Sequence, residues 1–124
     1  MIGNVVIVDD SLVARLSLKS ILKETGLSLS EAGSGEAVLE KLKAGPSPDL
    51  VFLDLTMPGM GGIETLRAIT AGYPALPVVV VTADIQSRTV DMVKELGAAA
   101  VVRKPADKAD ILSVVGSLLE KGRA

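Results

Sequence analysis

Two kinds of segment alternate along the chain: short runs of apolar residues, and longer stretches in which apolar residues recur every three or four positions. The runs at 4–8, 49–53 and 78–81 show no alternation of apolar and polar residues, which predicts strands buried on both faces. The run at 27–32 alternates Leu and Ser, which predicts a strand exposed on one side, near an edge of the sheet. A fifth strand is predicted at 99–102.

The longer stretches predict five helices. They cover residues 11–25, 34–43, 63–71, 87–96 and a last segment that opens at 105–107. Ser34 and Asp107 are suited to cap the N-termini of the second and the last helix, whereas Gly26 and Gly97 predict helix stops. The apolar residues of the first helix recur largely at spacings of three and four and predict an apolar face: Leu12, Leu16, Leu18, Ile21 and Leu22.

Five strand–helix units with short connections predict an α/β fold, in which a parallel sheet carries helices on both faces. No linker interrupts the pattern, and residues 120–124 form a short polar tail, so we expect one domain over 1–124. A chain of this length buries roughly two-thirds of the surface that its unfolded state exposes, which is enough for one core.

Composition removes several classes of function. The 13 Lys+Arg and 15 Asp+Glu residues leave a formal charge of −2, which gives no reason to expect binding to nucleic acid or to an anionic membrane. The absence of Cys and His excludes disulfides, thiolate or imidazole metal ligands and His-based catalysis. Phe52 and Tyr73 are the only aromatic residues, too few for base stacking. The apolar run at 5–8 is too short for a secretory or membrane segment, so we expect a cytoplasmic protein.

Polar residues follow four of the predicted strands. Asp9 and Asp10 follow the first strand, Asp54 the third, Thr82 the fourth and Lys104 the fifth. Because ligands of open parallel sheets bind beyond the carboxyl ends of the strands, we expect these side chains to converge. Three carboxylates suit Mg²⁺, which takes oxygen ligands, and a carboxylate beside a metal can attack phosphorus to form an acyl phosphate.

Each of these residues alone also has a purely structural interpretation. Asp9, Asp10 or Asp54 can cap the end of an element, Thr82 is a common strand residue, and Lys104 can be an ordinary surface lysine. Together they suit a phosphoryl group: the Thr82 hydroxyl would donate to a phosphoryl oxygen and Lys104 would neutralise its charge. Three acids, Lys104 and Mg²⁺ sum to zero charge, whereas without a cation the repulsion should raise at least one pKa.

The residues around these positions resemble the receiver (response-regulator) domain of two-component signalling over essentially the whole chain, in the manner of single-domain chemotaxis regulators. The similarity lies in five segments that occur in the right order on the right strand ends. They are VVIVDDS at 5–11, SGEA at 34–37, DLVFLDLTMPGMGG at 49–62, VVTA at 80–83, and GAAA at 97–100 leading to Lys104-Pro105.

The resemblance implies a flavodoxin-like, doubly wound sheet of five parallel strands in the order 2-1-3-4-5, with five helices. It implies that Asp54 accepts a phosphoryl group from a histidine kinase or a phosphotransfer protein, with Thr82 as switch hydroxyl and Lys104 as phosphate-binding lysine. The protein would then change its affinity for a downstream protein, as a monomer or a weak phosphorylation-dependent dimer, without being an enzyme. Mg²⁺ would be held by Asp9, Asp10, Asp54 and the backbone carbonyl of Thr56.

One position departs from the family pattern. Val101 stands three residues before the lysine, where the family usually has Tyr or Phe. This puts in doubt the usual route of signal transmission to the face formed by helix four, strand five and helix five. Thr56 and Asp84 correspond to the two positions that flank the phosphoryl site, and we expect them to tune the lifetime of the phosphoryl group.

Three alternatives stay open. Val101 keeps open a degenerate receiver that serves only as a protein-interaction scaffold. An aspartate-nucleophile phosphohydrolase usually carries a second Asp where this chain has Thr56, and no cap domain is present. A flavodoxin-like FMN binder would need a phosphate loop after the first strand, where this chain has acids. The start at Met1 and the end without a linker favour a stand-alone receiver with no output domain.

Overall fold

A computed structural model describes residues 3–56 and 60–121 of the chain. Five strands alternate with five α-helices. The strands are β1 (Asn4–Val8), β2 (Ser28–Ala32), β3 (Leu50–Asp54), β4 (Val78–Thr82) and β5 (Ala100–Arg103). The helices are α1 (Leu12–Leu22), α2 (Gly35–Ala44), α3 (Gly62–Gly72), α4 (Ser87–Glu95) and α5 (Lys108–Lys121), with a short 3₁₀ helix at Lys23–Thr25. Among the described residues, no helix is long and apolar enough to cross a bilayer.

The strands form one parallel sheet in the order β2-β1-β3-β4-β5, which confirms the predicted flavodoxin-like topology. The central strands β3 and β4 are buried along their whole length, and β1 is buried after Asn4. The alternating strand β2 lies at an edge, as its pattern predicted. The register aligns the carboxyl ends of the strands, with Asp54 opposite Val81 and Thr82 opposite Arg103.

Apolar residues on the two faces of the sheet form two cores. Ile7, Phe52 and Val81 project to one face, where α1 and α5 cover them. Val8 and Leu53 project to the other face, where α2, α3 and α4 cover them. The absence of polar alternation in the central strands follows from this arrangement, because both faces of each strand are covered.

Short polar side chains begin three of the helices. The hydroxyl of Ser34 accepts a hydrogen bond from the backbone N–H of Ala37, and the carboxylate of Asp107 accepts one from Asp110. Both predicted caps are therefore confirmed. The cap of α1 is Ser11, whose hydroxyl accepts from Ala14. Neither acid of the Asp9-Asp10 pair has that role, so the structural interpretation of the pair as a helix cap is wrong.

The apolar face predicted for the first helix is wrong in part. Leu18 and Leu22 are buried, but Leu12 is 58% exposed and Leu16 51% exposed. The reason is helical geometry, since positions two apart, such as Leu16 and Leu18, point in opposite directions. The predicted helix 11–25 also divides, because a 3₁₀ turn follows Leu22 and ends at Gly26, whose φ of 79° is readily adopted only by glycine.

Candidate functional site

The carboxyl ends of four adjacent strands bring the predicted side chains together. Asp9 follows β1, Asp54 ends β3, Thr82 ends β4 and Lys104 follows β5. Asp9, Asp54 and Thr82 are each about 5% exposed or less, whereas Asp10 is exposed. The site is thus a recess with one acid at its rim.

Lys104 joins the two buried acids. Its Nζ lies 2.8 Å from Oδ2 of Asp9 and 3.2 Å from Oδ1 of Asp54, and its side chain is 28% exposed. An ordinary surface lysine would extend into water, where an ion pair contributes little. Here the ammonium is held between two carboxylates from two different strands, so the interpretation of Lys104 as a plain surface residue is wrong.

The three acids form a compact oxygen cluster. Asp9, Asp10 and Asp54 can each offer one carboxylate oxygen such that these atoms lie within 4.8 Å of one another. The donors are all oxygen atoms, as the hard cation Mg²⁺ prefers. The backbone N–H of Thr56 also donates to the Asp54 carboxylate. Residues 57–59, within the segment at 49–62 that carries the family resemblance, lie outside the described residues.

Burial and charge act together on Asp54. Burial raises the pKa of Asp54 above its usual value, the neighbouring Asp9 carboxylate raises it further, and hydrogen bonds from Lys104 and Thr56 offset this only in part. The pKa of one acid is thus raised as expected, but the first cause is burial, and of the other two acids only Asp9 contributes. Burial alone would lower the pKa of Lys104, but its bonds to the two acids outweigh burial, and the net shift is upward.

Arg15 is a component of the site that the sequence analysis missed. Its Nη1 donates to the backbone carbonyl oxygen of Asp9 at 2.6 Å, and its Nε donates to Glu31 at 2.9 Å. Lys19 pairs with the other oxygen of Glu31 at 3.1 Å, and the two cations lower the pKa of that carboxyl. Glu31 thus orients the guanidinium of Arg15, which in turn holds the backbone of Asp9. No local sequence pattern predicts this contact.

Thr82 is linked to the start of α4. Its hydroxyl oxygen accepts a hydrogen bond from the backbone N–H of Asp84 at 3.0 Å. Asp84 in turn accepts from the backbone of Gln86 at 3.1 Å and from the hydroxyl of Thr89 at 2.7 Å, and these two bonds lower its pKa. Any rotation of the Thr82 hydroxyl towards Asp54 would therefore disturb the loop that leads into α4.

Gly62 sets the distance between α3 and the end of β3. A Cβ atom added at Gly62 would lie 2.6 Å from the backbone oxygen of Asp54 and would collide with Leu55. Only hydrogen fits where the first turn of α3 packs on the backbone that carries Asp54.

Known proteins resemble this chain over most of its length. The sequence model of the response regulator receiver domain matches residues 5–116. The chain is 35% identical to Protein CcdB of Bacillus subtilis over 93% of its own length and 96% of that protein. It is 31% identical to Protein PilH of Pseudomonas aeruginosa over 94% of its own length and 98% of that protein.

Solved structures also superpose on the fold. The receiver domain of NtrX from Brucella abortus matches with a TM-score of 0.87 and 27% identity, covering 94% of this chain and 98% of that one. Some matched proteins are much longer: the chain spans 30% of a protein-glutamate methylesterase of Hahella chejuensis and 28% of a longer NtrX chain.

Proposed function

The chain belongs to the family of response regulator receiver domains, the signalling modules of two-component systems, and on that premise we propose that Asp54 is its phosphoacceptor. A phosphoryl group on Asp54 would switch the affinity of the domain for a partner protein. The observation that carries this proposal is the pair of contacts that Lys104 makes with Asp9 and Asp54, which joins a buried carboxylate to a cation at the ligand-binding edge of the sheet.

Asp54 is the acid best suited to attack phosphorus. It is buried, its pKa is raised by burial and by Asp9, and one of its oxygens faces Lys104. A carboxylate of raised pKa is a better nucleophile than an exposed one. The exposed Asp10 and the Asp9 carboxylate, which accepts from the backbone N–H of Ser11, are better suited to hold a cation.

The donor set fits Mg²⁺. Carboxylates of Asp9, Asp10 and Asp54 and the carbonyl of Thr56 would hold it. When bound, the cation supplies charge neutralisation for the phosphoryl oxygens and for the acids themselves. Burial and the neighbouring Asp9 carboxylate raise the pKa of Asp54, and a divalent cation held by these acids would oppose that shift.

The transfer itself needs few groups. An oxygen of Asp54 forms a bond to phosphorus as the bond from phosphorus to the donor's imidazole nitrogen breaks, and that nitrogen takes a proton from solvent. Because these 124 residues contain no His, the phosphohistidine lies outside them, on a histidine kinase or a phosphotransfer protein. Lys104 would then move from pairing two carboxylates to pairing one carboxylate and the phosphoryl group.

The switch would be transmitted through the start of α4. When the Thr82 hydroxyl turns to donate to the phosphoryl group, Asp84 loses its hydrogen bond to Thr82, and the loop held by the Asp84–Thr89 contact becomes free to rearrange. Val101 of β5 pairs with Val80 of β4 and is only partly buried. An aliphatic residue at position 101 has no ring that could move when Thr82 rotates. The loop between Thr82 and α4 would therefore carry the signal.

The test is the intact mass of the protein after incubation with acetyl phosphate, with and without Mg²⁺. We expect one phosphoryl adduct that needs Mg²⁺ and is lost in Asp54→Asn. The matched control is Asp91→Asn, which neutralises an exposed acid on α4 and should label as the wild type does. Equal labelling of Asp54→Asn, or no adduct in a folded wild-type protein, would overturn the proposal.

A further inference from the structure

A cavity opens directly beside the acid cluster, on the α1 and α5 side of the sheet. Its volume is about 440 Å³, within the range of small-molecule sites. Most of its wall is apolar and is formed by the ends of β1, β3 and β4, the first turns of α1, and the segment before α5. The sheet contributes Ile7, Phe52 and Val81 to this wall, and Ala14 and Ala106 lie on the flanking segments.

Small side chains leave this space open. Ala14 and Ser17 face it from α1, and Ala106 faces it from the segment before α5. The cavity is open to solvent on one side, where Val13, which is 77% exposed, also lines it. The chain has few large side chains that could fill such a recess, because Phe52 and Tyr73 are its only aromatic residues and Phe52 already forms part of the wall.

The polar end of the cavity is acidic. Asp9 and Asp54 line it together with Lys104. The single ammonium of Lys104 is shared between the two carboxylates, so one negative charge remains on these three groups, and Asp10 adds a second at the rim. A cation at this end would be attracted, whereas a carboxylate or phosphate would face buried acids of its own sign.

From the shape and the charge we propose that this cavity binds small molecules with an apolar ring and a protonated amine. The amine would lie beside Asp9 and Asp54, and the ring would lie among Ala14, Phe52 and Ala106. In one respect the inference rests on the proposed function: the amine would compete with Mg²⁺ for the same two carboxylates. An amine of this class would thus antagonise phosphorylation by excluding the cation.

The test uses 2-phenylethylamine as the probe, followed through the backbone amide NMR shifts of the ¹⁵N-labelled protein. Benzyl alcohol and phenylacetate serve as neutral and anionic probes that keep the ring. Ala106→Leu fills the cavity, and Ala109→Leu makes the same change at an exposed position of α5 as a matched control. Thermal unfolding of both variants reports on folding without any ligand.

We expect saturable shifts with 2-phenylethylamine that centre on the cavity residues, and weaker binding of both other probes. Ala106→Leu should weaken amine binding about tenfold or more and raise the melting temperature, because it fills empty space, while Ala109→Leu should bind as the wild type does. Absence of saturable binding, equal affinity for phenylacetate, or unchanged binding in Ala106→Leu would each overturn the inference.

A Mg²⁺ titration, first alone and then against the amine, separates this inference from the proposed function. Competition between the two supports the placement of the amine, and simultaneous binding contradicts it. If the amine binds while neither Mg²⁺ binding nor labelling of Asp54 occurs, the proposed function fails and the cavity site stands.

Discussion

Arg15 provides the sharpest test of how the structure holds the acid pair. Its guanidinium contacts the backbone oxygen of Asp9 and the side chain of Glu31, and its side chain is only 18% exposed. Lys19 lies one turn further along α1 and pairs with the same Glu31, but it is 36% exposed and makes no hydrogen bond to Asp9. Replacing each cation by Met removes the same charge at Glu31 and keeps most of the aliphatic stem.

The two substitutions should differ in magnitude. An exposed ion pair contributes about 0–1 kcal/mol, so Lys19→Met should cost no more than that. A hydrogen bond from a charged donor contributes about 1.5–3 kcal/mol, so Arg15→Met should cost about 2 kcal/mol more than its control. The additional loss of stability in Arg15→Met comes from the contact at the junction of β1 and α1, which carries Asp9 and Asp10.

The assay is urea unfolding of both variants with and without Mg²⁺. At a fixed concentration, a ligand that binds more tightly stabilises the folded protein more, so the Mg²⁺-dependent gain in stability measures the integrity of the site. We expect a smaller gain in Arg15→Met than in the wild type and an unchanged gain in Lys19→Met. Equal costs in the two variants, or equal gains from Mg²⁺, would refute the reasoning that Arg15 positions Asp9.

Three further substitutions test other parts of the account. Because burial and Asp9 raise the pKa of Asp54, its ionised form destabilises the folded state as the pH rises above the usual Asp range. At neutral pH without Mg²⁺, Asp54→Asn should therefore unfold at a higher urea concentration than the wild type. This gain in stability should vanish in acid, where Asp54 is protonated. An equally large advantage at both pH values would contradict this. Gly62→Ala should lower the free energy of unfolding by about 1–3 kcal/mol and slow labelling by acetyl phosphate. Gly72→Ala, whose new methyl group meets open space, should do neither. Similar unfolding midpoints for the two variants would count against the packing argument. Val101→Tyr should leave labelling unchanged and enlarge the phosphorylation-dependent NMR shifts on β5 and α4, and identical shifts in both proteins would argue against a role for the missing ring.

Much of the fold follows from local pattern. Strands buried on both faces are continuous apolar runs in the sequence, as in the run that ends at Asp54. The alternation of strands and helices then restricts the topology. The strand-end rule identified the side chains that converge, because it needs only the position of each residue after its strand. Thr82 and Lys104 do not predict a functional site by themselves, and only their position at the same edge of the sheet as the acids does.

Other features depend on contacts between distant segments. Arg15 on α1 contacts both the Asp9 carbonyl and Glu31 on β2, and neither Arg15 nor Glu31 stands in a motif. The exposure of Leu12 and Leu16 depends on which side of α1 faces the sheet, which hydrophobic spacing alone does not determine. The cavity beside Ala106 likewise arises from three small residues on two separate segments, and so it appears only in the assembled structure.

The most direct measurement of the central claim identifies the residue that becomes phosphorylated. Reduction of the acetyl-phosphate-treated protein with borohydride converts an aspartyl phosphate to homoserine, and peptide mass mapping then locates the change. We predict homoserine at position 54 alone, in samples treated in the presence of Mg²⁺. Homoserine at position 9 or 10, or unmodified peptides throughout a folded sample, would contradict the assignment of Asp54 as the phosphoacceptor.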